Sequence, residues 1–359
     1  MAIRLTRWPS LRTPTLARHL VLALGAGVLL FLISSQIGAY DDYNLAEVAI
    51  FAIAAAGLNL LTGVNGQLSL GHGALMAIGA YTTSLLLRGR DLPLPLLLLA
   101  SVASASLIGC LFGVAAARLR GPYLAGATLA LAVGLPQIAT RYSQVFGGEE
   151  GLTVAPPAVP AWLGADFPPE RWLAWIAIVA ALVTFVLLAN LVHSSVGRSF
   201  RGVRDHEAAA ALAGIDVART QIQAFVVSAA CAGLAGSLFA YWAGVTNPAG
   251  FSLALSLQLV TAIVIGGLGT LSGAVWGSIV LVFVPSLTSG MASSLNLPTS
   301  VANNLPLAIY GAVLVVAMLV APYGIDGGLH RLVALGRARW AGASSNHKGV
   351  VDWDDPAGG

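Results

Sequence analysis

Few side chains in this chain could carry out chemistry. Its six histidines, at positions 19, 72, 193, 206, 330 and 347, show no metal-ligand spacing, and an enzyme needs a nucleophile, a metal cluster or a carboxylate pair held together. Cys110 and Cys231 fall in apolar runs and read as small packing residues, not as a disulfide framework. The glycine-rich run from Ile265 to Gly277 is no phosphate loop. Such a loop follows its last glycine with Lys and then Ser or Thr, whereas Ala274 and Val275 follow Gly273 here. What remains is hydrogen bonding. From Asn59 to Gly73 the chain reads NLLTGVNGQLSLGHG, a run of amides, hydroxyls, an imidazole and glycines between apolar stretches. A bilayer tolerates such a run only where it is buried in protein or lines a water-filled cavity. A broken helix beside a solute path is the expectation. His72 either faces that path or satisfies backbone groups freed by the neighbouring glycines.

The elements that must position this run are membrane helices. With 57% hydrophobic and 9% charged residues over 359 positions and a mean hydropathy of +0.83, the chain stands far from the roughly 25% charged content of soluble domains. Runs at 20–38, 45–61, 68–87, 92–117, 123–139, 172–191, 222–242, 253–268, 273–289 and 305–320 each approach the roughly 20 apolar residues that span a bilayer. The expectation is an all-α polytopic membrane protein of about ten transmembrane helices. A permease-like domain would fill 1–322, and a poorly ordered cytoplasmic tail 323–359. Residues 1–39 also read as a signal peptide.

Basic residues set the orientation. Arg4, Arg7, Arg12 and Arg18 put the amino terminus inside; Arg118, Arg120, Arg198, Arg201, Arg204, Arg219, Arg331, Arg337, Arg339 and Lys348 follow by alternation. Both termini are then cytoplasmic, with Arg88, Arg90 and Arg141 as exceptions. Asp41, Asp42, Glu149 and Glu150 fall outside, and the outer segment 143–171, with five prolines, should be an ordered or semi-rigid loop. Of the carboxylates, only Glu47 enters a span. A proton-coupled carrier usually buries one nearer mid-membrane, so an external energy source is favoured, with sodium coupling left open.

Two further features could serve as contacts. Between the sixth and seventh runs, 198–219 interrupts the apolar pattern with a charged, Ala-rich helix. Glu207, Ala210, Ala211 and Gly214 recur at helical spacing, so a nearly bare face, with Arg204 and Asp205 at its start, suits insertion into a groove of another protein. Gly269, Gly273 and Gly277 stand four apart and, with Gly266, suit close helix packing.

Several of these motifs carry a resemblance. Glu207-Ala208-Ala209-Ala210-Ala211-Leu212-Ala213-Gly214 resembles the cytoplasmic coupling segment of ATP-binding-cassette importer permeases, with the glycine seven residues after Glu207 instead of the commoner six. The NLLTG…GQLSLGHGA run and the GGxGxxxG run at Gly266 are similar to the branched-chain amino acid (Liv-type) and urea permease family. GGEEGLTV in the outer loop looks like the M-type subunit of that system. The resemblance, over roughly 45–320, implies a multi-pass permease subunit of an ATP-driven importer in a bacterial inner or plasma membrane. It implies four partners: a second homologous permease, two ATP-binding subunits and an external solute-binding protein. ATP and Mg would be used by the partners, with no cofactor on this chain, no nucleic acid partner, and the bilayer as surroundings. By the same resemblance, Asn59, Gln67, Ser69 and His72 lie near the translocation path or fix the broken helix. Arg204, Asp205, Glu207, Ala208, Ala210, Ala211 and Gly214 would meet the ATPase. Leucine, isoleucine and valine are the implied solutes, with urea or short amides, and an ATP-independent carrier or channel, as alternatives.

Overall fold

The structure is a computed structural model that describes residues 15–90, 92–118, 122–164 and 166–294, together with 309, 311, 312, 315, 316 and 324–328. The chain runs α1 (Thr15–Gln36), α2 (Ala39–Asn59), a π-turn (Leu60–Val64), α3 (His72–Leu87), α4 (Leu94–Ala116), α5 (Pro122–Arg141), α6 (Ser143–Phe146) and β1 (Leu152–Thr153). It continues through α7 (Pro169–His193), α8 (Ser195–Asp205), α9 (Glu207–Leu212), α10 (Val217–Ala243), β2 (Val245–Thr246), α11 (Leu253–Gly266) and α12 (Leu271–Ser294). Among the described residues, seven helical segments are long and apolar enough to cross a membrane, while α3 and α12 offer shorter apolar stretches. Nine of the ten expected runs thus fall on helices. Of the tenth, the described positions 309, 311, 312, 315 and 316 are helical. Residues 324–328 are helical too, where a loose tail was expected; the rest of that tail and residues 1–14 lie outside the described residues.

Two helices form the hub. α2 is enclosed along most of its length by α7, α10 and α12, and α10 packs most closely on α4 and α3. Lipid tails are as apolar as the helices, so burial alone cannot drive this contact, and small residues and hydroxyls must bring the backbones together. On α10, Gly236 lies against the carbonyl of Met76, and Gly233 faces Gly79 of α3 and Ser101 of α4. Beside them, Thr83 Oγ1 lies 2.8 Å from Ser101 Oγ and 2.6 Å from Ser237 Oγ, which links α3, α4 and α10 in one hydroxyl cluster.

The segment 143–164, where an ordered or semi-rigid loop was expected, carries the short helix α6 and the strand β1. Leu152 pairs with Thr246 and Thr153 with Val245 in a two-residue antiparallel ladder that ties the loop to the end of α10. At the same end, the wholly buried carboxylate of Asp42 accepts from Arg171 Nε at 2.8 Å and from Ser34 Oγ at 2.6 Å, while Arg171 Nη2 donates to the carbonyl of Ile37 at 2.8 Å. This group fastens α1, α2 and α7. α2 therefore begins earlier than its apolar run, at Ala39, and takes Asp41 and Asp42 into its first turn.

Candidate functional site

The polar run breaks its helix as expected. After Asn59 the ladder widens into the π-turn, closed by Asn65 N to Leu60 O and Gln67 N to Leu61 O, each at 3.0 Å. Gly66 turns the chain back at φ +81°, a conformation glycine adopts without a Cβ penalty. Residues 67–71 then run non-helically back into the helix bundle, and α3 starts only at His72, four residues later than its apolar run suggested. Thr128 of α5 accepts from Leu70 N at 3.0 Å, and Ser256 of α11 accepts from Gly73 N at 3.0 Å. The first turn of α3 is thereby fixed deep among other helices.

Inside this turn the polar side chains divide. Asn59 is a clamp: Nδ2 donates to the carbonyls of Gly267 (3.1 Å) and Thr270 (2.7 Å), and Oδ1 accepts from Gly269 N at 2.7 Å. It holds the connection between α11 and α12, a role no local pattern indicates. Gln67, Ser69 and the sequence-neglected Asn65 are all buried. Five of their side-chain N and O atoms have no hydrogen-bond partner among the described residues. His72 is fully buried, its ring facing the backbone of Ala54, with neither ring nitrogen in hydrogen-bond geometry. Four polar side chains thus line one re-entrant stretch with unused capacity.

The charged segment is corrected in two respects. It is two helices, not one, because His206 is extended (φ −162°, ψ 100°) and its Nδ1 accepts from Ala209 N at 3.3 Å, capping α9. α8 is amphipathic, burying Phe200 and Val203. Second, one residue of the bare face turns inward, while Glu207 and the rest of that face are exposed. Ala210 is buried, while Ala208, Ala211 and Gly214 are exposed together with Leu212, whose side chain is 91% accessible. Gly214 (φ +85°) ends α9 as a helix cap, with Gly214 N bonding to Ala211 O and Ile215 N to Ala210 O, each at 3.0 Å.

The charged residues are exposed but bonded back to the bundle and to one another. Arg204 Nη1 donates to Gly63 O at 2.8 Å, Asp205 accepts from Arg204 Nε at 3.0 Å, and Glu207 Oε1 accepts from Gln221 Nε2 at 2.9 Å. A 420 Å³ pocket lies between the turn and this segment, bounded by Asn65, Gln67, Arg204, Glu207 and Gln221. Gln221, which sequence reading missed, stands just ahead of an apolar run and signals itself only as a polar residue at a helix start. The glycine run is corrected too. Gly269 (φ +82°) lies in the connection, so it shares no helical face with Gly273 and Gly277, which pack against Gly266 and Ala262 of α11.

Among the described residues, no group of three or more His, Cys, Asp or Glu side chains could hold a metal ion. The family described as "Branched-chain amino acid transport system / permease component" matches residues 42–318. The high-affinity branched-chain amino acid transport system permease protein LivM of Salmonella typhimurium is 29% identical over 303 residues, covering 77% of this chain and 67% of its own. LivH of Escherichia coli K12, similarly described, is 25% identical over 294 residues, covering 77% of this chain and 91% of its own. BraD of Pseudomonas aeruginosa is 26% identical over 253 residues, covering 66% and 81%.

Proposed function

The chain belongs to the family of branched-chain amino acid transport permease components, and from that premise we propose that it is a membrane-spanning subunit of an ATP-driven importer of leucine, isoleucine and valine. It forms half of a translocation path with a second, homologous permease. Two ATP-binding subunits supply the energy from the cytoplasmic side, and an external solute-binding protein delivers the cargo. ATP and Mg act in those partners, and this chain binds no cofactor.

The observation that carries the reading is a juxtaposition. The polar turn 60–71 and the exposed helix α9 lie against each other at one pocket, so a partner pressing on Leu212 and its neighbours acts directly on the stretch that holds the unused polar groups. Arg198, Arg201, Arg204 and Arg219 gather on this side, which supports a cytoplasmic placement. The turn also leads into the N-terminus of α3, whose partial positive charge favours a carboxylate. Branched-chain amino acids carry that group and urea lacks it, so the geometry favours the amino acid cargo.

The test is purification in mild detergent from the native membrane, then reconstitution of whatever co-purifies into liposomes. Recovery of an ATP-binding subunit and a sister permease, with ATP-dependent leucine uptake that valine inhibits and urea does not, is the expected result. A chain that purifies alone and moves solute without ATP refutes it, and urea competition would replace only the cargo.

A further inference from the structure

Arg204 lies at the surface, with 39% of its side chain exposed, yet it is anchored to a distant part of the chain. It is the penultimate residue of α8, yet its guanidinium reaches the carbonyl of Gly63, 141 residues earlier in the chain and inside the π-turn. Two other groups shape the seat. A Cβ on Gly66 would stand 2.6 Å from Arg204 Cγ, so only a glycine there lets the stem lie flat on the turn. A Cβ on Gly269, whose N–H is held by Asn59, would stand 3.7 Å from Arg204 Nη1. One guanidinium is therefore bonded to the turn after α2 and lies close to the connection between α11 and α12. Asp205, bonded to Nε and Nη2 at 3.0 and 2.9 Å, fixes its plane.

We propose that Arg204 is the pin of an inner gate: its bond to Gly63 holds the turn 60–71 shut, and this contact breaks and re-forms in each transport cycle. The inference rests on the permease reading and names a positioning residue within it. Three observations carry it. The carbonyl of Gly63 lies in a widened turn, and Arg204 supplies it with a charged donor. Beside the pin is an open 420 Å³ pocket, bounded by Asn65 and Gln67, whose buried amides have no partners among the described residues and gain them once the turn opens to water or cargo. Finally, only the extended residue His206 and Asp205 separate Arg204 from α9, so displacement of α9 reaches the pin within two residues.

The geometry supplies its own test. The Cβ built on Gly66 lies 3.2 Å from that of Arg204, and a disulfide needs about 3.5–4.5 Å. The pair Gly66→Cys and Arg204→Cys should therefore cross-link after a shift of tenths of an ångström. In the complete reconstituted importer, oxidation should lower leucine uptake about tenfold, and a reductant should restore it, with the oxidised unmodified chain, carrying only Cys110 and Cys231, as control. Failure to cross-link in folded protein, or full uptake in the locked state, overturns the proposal. If the paired variant does not assemble, Arg204→Ala and Arg204→Lys decide. A lost pin raises ATP hydrolysed per leucine about tenfold in Arg204→Ala, with Arg204→Lys, which keeps one donor for Gly63, in between; an unchanged ratio in Arg204→Ala overturns it. ATP-driven uptake that persists through the lock sinks the gate and leaves the permease reading intact. Uptake that needs no ATP yet stops on oxidation does the reverse.

Discussion

Replacing Asn59 with leucine, which has nearly its shape, tests whether one side chain holds the inner connection. The change removes two donated bonds and one accepted bond. Gly267 O keeps Thr270 Oγ1 as a donor at 3.2 Å, so the groups that lose this partner outright are Gly269 N–H and Thr270 C=O. Both groups are part-buried, so each loss costs about 1 kcal/mol, the low end for an unsatisfied backbone group, and the pair about 2 kcal/mol. At about 2–4 °C per kcal/mol, the purified protein in detergent should melt about 4–8 °C lower. Asn59→Asp is the sharper variant. It keeps an acceptor for Gly269 N–H but points a negative charge at two carbonyls, so it should melt below Asn59→Leu. A leucine variant within about 1 °C of the parent, or an aspartate variant more stable than it, would refute the clamp.

Three other outcomes follow from the same reasoning. Arg171→Met should destabilise more than Asp42→Asn, because it strands a carboxylate that is 0% exposed, whereas the arginine left by the second change is 21% exposed and can hydrate; stranding a buried charge costs about 3–5 kcal/mol, and equal losses in urea or SDS titrations would contradict this. Gly214→Ala meets no atom within 4 Å but forces a side chain to a positive φ at about 1–2 kcal/mol. Amide exchange in α9 should therefore speed up about tenfold with global stability unchanged. Leu212→Glu, at a fully accessible position, should change stability by less than about 0.5 kcal/mol yet lose the ATP-binding subunits on purification, and intact co-purification would show that α9 is not their contact.

The membrane helices were legible because length and apolarity alone define a span, and the helix break because amides and glycines cannot pass unnoticed there. The break at His206 was less visible. The charged stretch before Glu207 and the Ala-rich run after it read as one continuous helix, and the signal against it is Asp205-His206 ahead of Glu207, a capping pattern. Gly269, Gly273 and Gly277 hold helical spacing by sequence, but a connection that needs φ +82° at Gly269 overrides that period. The partners of Arg204 and Asn59 were beyond reach, since each lies more than a hundred residues away in the chain and contact order is not written in local pattern. The pocket lined by Gln221 and Asn65 shares that cause.

The two-residue ladder of β1 and β2 has a practical consequence. Upstream of the segment 155–164, β1 is stitched to β2 and Val154 N bonds to Gly244 O at 2.8 Å; downstream, Arg171 is locked onto α2. On the segment 155–164 between these two fixed posts, Trp162 is 76% exposed. Such a seam can be cut or lengthened without loosening either post. The protein should tolerate an epitope inserted there, and two fragments divided there and expressed together should reassemble, so that antibody access to the epitope in intact cells reports which membrane face carries it.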